Sequence, residues 1–180
     1  MFKTVVAAAA VLFALSAPAW AADSNTLQLF RGAQRQVLGY PHFTVFDSVH
    51  IRVDGSIVEL TGKVTMPHKS SDIAKRVAKV AGVTQVVNRI ELLPVSRFDD
   101  ELRYRIARAI YGNANFWGYG SMVNPPIHVI VDHGRVTLEG VVNSNVDRML
   151  ARSIASSFPA FSLANELKTE AEVKAELEKL

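Results

Sequence analysis

Val49-His50-Ile51-Arg52-Val53-Asp54, followed after a turn by Val58-Glu59-Leu60-Thr61-Gly62-Lys63-Val64, recurs 78 residues further on. The partners are Ile127-His128-Val129-Ile130-Val131-Asp132 and Val136-Thr137-Leu138-Glu139-Gly140-Val141-Val142. His50/His128, Asp54/Asp132, Leu60/Leu138, Gly62/Gly140 and Val64/Val142 are identical pairs. With one residue deleted, the match resumes as Val77-Ala78 against Ile154-Ala155. It ends with Val86-Val87-Asn88-Arg89-Ile90 against Leu163-Ala164-Asn165-Glu166-Leu167. Solenoid repeats run to about 20–50 residues, so this longer period marks a duplicated small domain. The shared positions are almost all packing and turn residues. The chain therefore reads as two copies of a scaffold rather than as one enzyme.

Working outward, Leu27, Phe30, Ala33, Val37 and Leu38 recur at helical spacing after the caps Ser24-Asn25, and Gly39-Tyr40-Pro41 stops that helix. Alternation at Val49, Ile51, Val53 and at Val58, Leu60, Val64, around the turn Asp54-Gly55-Ser56, predicts a β-hairpin with one apolar face. Pro67 suits the first turn of a second helix, whose stripe is Ile73, Ala74, Val77, Ala78 and Ala81; Gly82 ends it. Val83 to Leu92 is a last strand. The second unit repeats this α-β-β-α-β order from Phe98-Asp99-Asp100-Glu101, through Leu102, Ile106, Ala109 and Ile110, to a strand at Phe161–Leu167. The expected divisions are a signal segment 1–21, a first domain 22–95, a second domain 96–168 and a tail 169–180. In the tail, Thr169 and Glu172 have capping-box spacing and Val173, Leu177 and Leu180 follow at helical spacing, which predicts a short amphipathic helix. Gly62 and Gly140 hold matched strand positions where glycine ordinarily weakens a strand; their recurrence suggests a helix packed closely over each. Ile130 and Val141 interrupt what should be a polar outer sheet face, which suggests that this face of the second sheet is partly covered.

Lys3, the apolar run Thr4–Leu15 and Ala19-Trp20-Ala21 make an export signal cleaved after Ala21. The run is shorter than the roughly 20 residues a spanning helix needs. The chain has no cysteine, so it offers no disulfide, thiolate or lipid-bearing residue behind the signal. The expected compartment is the periplasm. Losing Lys3 takes the formal charge from +3 to +2, too little to steer nucleic acid.

Leu60, Gly62, Val64, Ala74, Ala78, Gly82, Val83, Val86, Asn88 and Ile90 form a pattern that resembles the BON domain family. In the second copy the matching residues are Leu138, Gly140, Val142, Ala151, Ala155, Leu163, Asn165 and Leu167. The second copy departs at Phe158-Pro159-Ala160, where Gly-Val is expected, so its last loop should differ. The resemblance implies an α+β chain of two tandem domains, each a three-stranded mixed sheet with two helices on one face. It implies no catalysis and no cofactor. It implies an interaction module of periplasmic envelope maintenance, of the osmotically inducible and stress-protection kind. The partner class it implies is an anionic phospholipid surface, met through the segment Asp99 to Tyr119. The alternative is a protein-interaction or chaperone-like module for envelope proteins.

Tyr111-Gly112-Asn113-Ala114-Asn115-Phe116-Trp117-Gly118-Tyr119-Gly120 is the candidate site. Arg103, Arg105 and Arg108 precede it. Rings with a polar edge favour membrane interfaces and cations favour anionic headgroups, so Trp117, Phe116 and Tyr119 with the three arginines are the expected lipid contacts. The other reading packs Phe116 and Trp117 into the core or the seam between domains. No histidine pair has ligand spacing, which leaves no metal site, and His50 and His128 read as surface residues of separate domains. No nucleophile or phosphate-loop motif occurs. Asp99-Asp100-Glu101 is what a helix N-terminus attracts without chemistry. Lys69, Lys75, Arg76 and Lys79 read as a basic helix face.

Overall fold

The computed structural model describes residues 19–177. Of the expected signal segment 1–21, residues 1–18 lie outside this range and Ala19–Ala21 open the first helix. The elements run α1 (Ala19–Leu38), β1 (Ser48–Asp54), β2 (Ile57–Val64), α2 (Pro67–Val77) and β3 (Gln85–Leu92). Then come α3 (Arg97–Tyr111), a 3₁₀ turn (Ala114–Phe116), α4 (Trp117–Gly120), β4 (Ile127–Asp132), β5 (Arg135–Val142), α5 (Asn145–Ala155), β6 (Ser162–Thr169) and α6 (Glu170–Leu177). There are two three-stranded sheets, ordered β1-β2-β3 and β4-β5-β6. In each, a hairpin pairs antiparallel and the last strand returns parallel to the middle one. The expected α+β fold of two tandem units is the observed one.

Each sheet buries one row against its helices. In the first unit Val58, Leu60 and Val64 meet Ala33, Val37, Ile73 and Val77. In the second, Val136, Leu138 and Val142 meet Leu102, Ile106, Ile110, Ala151 and Ala155, with Phe116 and Tyr119 added. The family asparagines act alike. The side-chain amide of Asn88 donates to the Ser70 carbonyl at 3.3 Å and that of Asn165 to the Arg148 carbonyl at 3.0 Å. Each tethers the last strand to the helix before it. The divergent loop at Pro159 rejoins the common path at once. Phe161 N donates to the Gly134 carbonyl much as Thr84 N donates to that of Ser56.

Several sequence expectations change. Ser24-Asn25 lie inside α1 rather than capping it. Gly62 and Gly140 have φ of +115° and +121°, and a Cβ there would strike the carbonyl oxygen of Ser48 on β1 and that of Pro126 just before β4. The obstruction is backbone within the sheet rather than a helix above it. The basic face of α2 shrinks to Lys75 and, just beyond the helix, Lys79, which stay exposed. Lys69 is buried against Asp47, Lys75 faces Asp72, and Arg76 donates to the Gln36 and Gly39 carbonyls. In the tail, Thr169 N donates to Glu172 and Glu172 N to the Thr169 hydroxyl, the reciprocal pair of a capping box. Val173 is half-buried, whereas the Leu177 side chain and Leu180 lie outside the described residues.

The units meet along a polar seam. The Ser48 hydroxyl and His50 both reach Glu139, Lys63 pairs with Asp132, and Val129 N donates to the Val45 carbonyl at 2.7 Å. Phe46 packs edge-on to Tyr104. Ile130 lies within the seam at 5% exposure, while Val141 stays half-open at its edge.

Candidate membrane-contact surface

Helix α3 sets the geometry of the candidate loop. Ser96 caps it by accepting from Asp99 N at 3.2 Å. The Asp99 carboxylate is buried and accepts from the backbone N–H groups of His133 and Gly134 at 2.9 and 2.8 Å. These are the two turn residues of the β4–β5 hairpin, both at positive φ. Arg103, one turn along, donates to the Val131 carbonyl at 2.9 Å and pairs with Asp100. A carboxylate and a guanidinium on the inner face of α3 thus hold the hairpin end in place. At the other end of α3, Tyr111 accepts from Ile127 N and donates to the Ile127 carbonyl, and burial pushes its phenol above the ordinary range.

The segment after α3 folds into two short helical turns. Asn113 caps the first by accepting from Asn115 N at 3.0 Å. Phe116 is 0% exposed and stacks on Tyr119, ring centroids 5.8 Å apart. The Tyr119 hydroxyl accepts from Asn143 N at 2.8 Å and donates to Asp147 at 3.1 Å, tying the loop to the end of β5 and the start of α5. Between these anchors Trp117 stands out at 77% exposure.

This divides the six expected contacts. Trp117, Arg105 and Arg108 face solvent. Phe116 and Tyr119 are core residues, and Arg103, at 3% exposure, is committed to Val131 and Asp100. None of these three can reach a surface. The correction has a simple origin: i and i+3 face inward across a helical turn while i+1 faces out. Arg105 lies 5.4 Å over the Phe158 ring and 3.8 Å from Glu101.

Sequence reasoning missed further exposed apolar side chains on the same end of the domain. Met122 and Val123 continue the loop, and Val146 and Met149 lie on the first turns of α5, to which Tyr119 binds the loop. The i, i+3 spacing of Val146 and Met149, off the buried stripe of Ala151 and Ala155, was the available signal. At the hairpin end of the same domain, exposed Phe98 and Phe161 form a second aromatic pair at 6.5 Å. No described group of His, Cys, Asp or Glu could hold a metal ion. Among the described residues no helix is long and apolar enough to cross a membrane.

The BON domain model matches residues 35–94 and 119–171. The chain belongs to the BON domain family. Its modules associate with phospholipid and the cell envelope and are generally non-catalytic. No curated protein sequence matches the chain. Among solved structures it is similar to CdsD, a structural protein of the type III secretion system of Chlamydia trachomatis. Identity there is 14%, covering 83% of this chain and 97% of that one, with a TM-score of 0.30. A second structure, the C-terminal domain of CdsD, gives 12% identity, 77% and 96% coverage and a TM-score of 0.27. Likeness at this level bears on neither fold nor activity.

Proposed function

We propose that the mature chain is a periplasmic, non-catalytic protein of envelope maintenance under stress, osmotic stress included. Its second domain docks peripherally on anionic phospholipid surfaces. Trp117 supplies the interfacial ring, and Arg105 and Arg108 supply charge. The observation that carries this reading is Trp117 itself. A loop pinned from beneath by Phe116 and Tyr119 holds a large apolar ring in water. Such exposure costs free energy unless a partner covers it. The alternative, an interaction or chaperone-like module for envelope proteins, draws on the exposed Phe98–Phe161 pair at the opposite end of the domain.

Tryptophan emission tests the lipid reading. The sequence has two tryptophans, and Trp20 leaves with the signal, so Trp117 reports alone. Lipid-free protein should emit as a solvated indole and shift blue with anionic vesicles, but not with neutral ones. Trp117→Ala should weaken vesicle binding about tenfold, as burial of one large side chain implies. Each arginine is worth roughly 1 kcal/mol near an anionic surface, less in salt, so Arg105→Glu and Arg108→Glu should each weaken binding several-fold. An equal response to neutral vesicles, or none to either, would leave the protein-interaction reading standing. The compartment has its own test. N-terminal sequencing of the mature protein from periplasmic extract should begin at Ala22; a chain retaining Met1 would refute export with cleavage.

A further inference from the structure

His50 and His128 are the same position in the two copies, and the fold brings both to the one seam between them. They line the same cleft of about 550 Å³, between α1, β1 and the outer face of the second sheet. His50 Nε2 lies 3.1 Å from Glu139 Oε2 and 3.2 Å from the Ser48 hydroxyl, which itself donates to Glu139. His128 Nδ1 donates to the Asp47 carbonyl at 2.7 Å, and its ring packs on Phe43 at 5.4 Å. Every one of these contacts, apart from that between Ser48 and His50, joins one domain to the other. The domains are linked only through the short segment 93–96, in which Val95 is fully solvated. A polar seam on a short linker is the arrangement in which relative domain motion is expected.

We propose that His50 and His128 gate the closure of the two domains, so that the closed form is favoured in a band around pH 6.5, about the value of a free imidazole, and loosens on either side. The two histidines differ in what closure does to the charged ring. Around His50 stand Glu139 on β5 and Glu166 and Lys168 on β6. The hydrogen bond to Glu139 outweighs partial burial and holds His50 above its ordinary range. Around His128 stand Glu139, the Asp47 carboxylate and carbonyl, and the Thr44 backbone. Burial outweighs these and pushes His128 down. Glu139 faces both rings. Burial raises it, but bonds from His50 and Ser48 hold it below the usual carboxylate range, so it stays ionised throughout the band.

The signs oppose each other. In the open form both rings titrate near about 6.5. The His50 contribution to closure is complete below that value and fades as pH rises through its raised closed-state value. The His128 contribution is complete above that value and fades as pH falls through its lowered closed-state value. Closure is therefore greatest where the two ranges meet. This reading is independent of lipid binding.

The chain has no native cysteine, so a spin-label pair at Ser71→Cys on α2 and Ser153→Cys on α5, both exposed, measures the domain separation directly. Between pH 5 and 8.5 the closed-to-open ratio should peak at about pH 6.5 and fall on each side of it. His50→Gln keeps a donor at the Nε2 position without titrating and should remove the alkaline fall alone. His128→Asn keeps a donor at the Nδ1 position and should remove the acid fall alone. Exchange of the Val129 amide, bonded across the seam to Val45, should follow the same profiles after correction for intrinsic rates, and needs no label. A separation that is constant or monotonic with pH, or variant profiles that superimpose on the parent, would overturn the proposal.

Discussion

Lys69→Ala is expected to destabilise the first domain by about 3–5 kcal/mol, the cost of leaving a buried charge without its partner. The Asp47 side chain is 0% exposed and that of Lys69 5%. Asp47 accepts from the backbone and hydroxyl of Thr44, from the backbone and hydroxyl of Thr65, and from Lys69 at 2.6 Å. Truncation leaves the four neutral donors but no cation. Urea unfolding followed by far-UV circular dichroism should show the loss. The double variant Asp47→Asn, Lys69→Met removes both charges and should lose less than Lys69→Ala alone. A single-variant loss below about 1 kcal/mol would mean that water reaches the carboxylate and that the pair behaves as a surface one.

The same site carries a pH dependence. Burial raises the Asp47 carboxyl, but bonds from Lys69, Thr65 and Thr44 outweigh it and hold the group below the usual carboxylate range. Its contribution is therefore present above about pH 3.9, the unfolded value, and lost as pH falls through the lowered native value. Without Lys69 the acid transition of the first domain should move to higher pH. Because the Asp47 carbonyl also accepts from His128, a disordered Asp47 loop would loosen the seam as well.

The second copy solves the same local problem without an ion pair. Asn143 N, the counterpart of Thr65 N, donates to the Tyr119 hydroxyl rather than to a carboxylate, and Asp147 stands where Lys69 stood. The long aromatic segment after α3, present in one copy only, supplies that hydroxyl. Its two inward rings fill and cap the second core, and the loop they anchor carries Trp117 outward. Duplication kept the backbone need and let the chemistry that meets it diverge.

That divergence explains what the sequence could and could not disclose. The hairpins, the helix stripes and the capping box at Thr169 and Glu172 are local, and two copies of the pattern checked each other. Asp99 and Arg103 were also within reach. Positions 99, 102, 103, 106, 107 and 110 form one helical stripe of buried residues, and a charged side chain on such a stripe must find partners inside. The same holds for Lys69 in the series 69, 73, 77. The facing of Phe116, Trp117 and Tyr119 was hidden because Gly118 and Gly120 mask a helical turn. The meeting of His50 with Glu139 depends on how one domain is turned against the other. No periodicity records that, although the apolar Ile130 on an outer face correctly pointed to a cover.

Gly140→Ala and Gly62→Ala should each cost about 3 kcal/mol or more, combining backbone strain with overpacking. Both glycines sit at φ beyond +110°, where a side chain is strained whatever space it has. An added Cβ would also lie far inside the 3.0 Å below which real Cβ atoms essentially never come, against a backbone carbonyl oxygen. At Gly140 that oxygen belongs to Pro126, one residue before β4. Urea unfolding followed by far-UV circular dichroism measures the loss in each variant. Gly118→Ala is the control, because its Cβ meets nothing within 4 Å and its φ is not positive; its effect should stay within about 0.5 kcal/mol. The comparison of alanine with leucine separates the two explanations for these glycines. A helix packed above the strand would tolerate alanine and punish leucine. A backbone obstruction begins at Cβ, so most of the loss should already appear with alanine and little more should follow with leucine. A steep rise from alanine to leucine at either position would restore the helix-packing explanation.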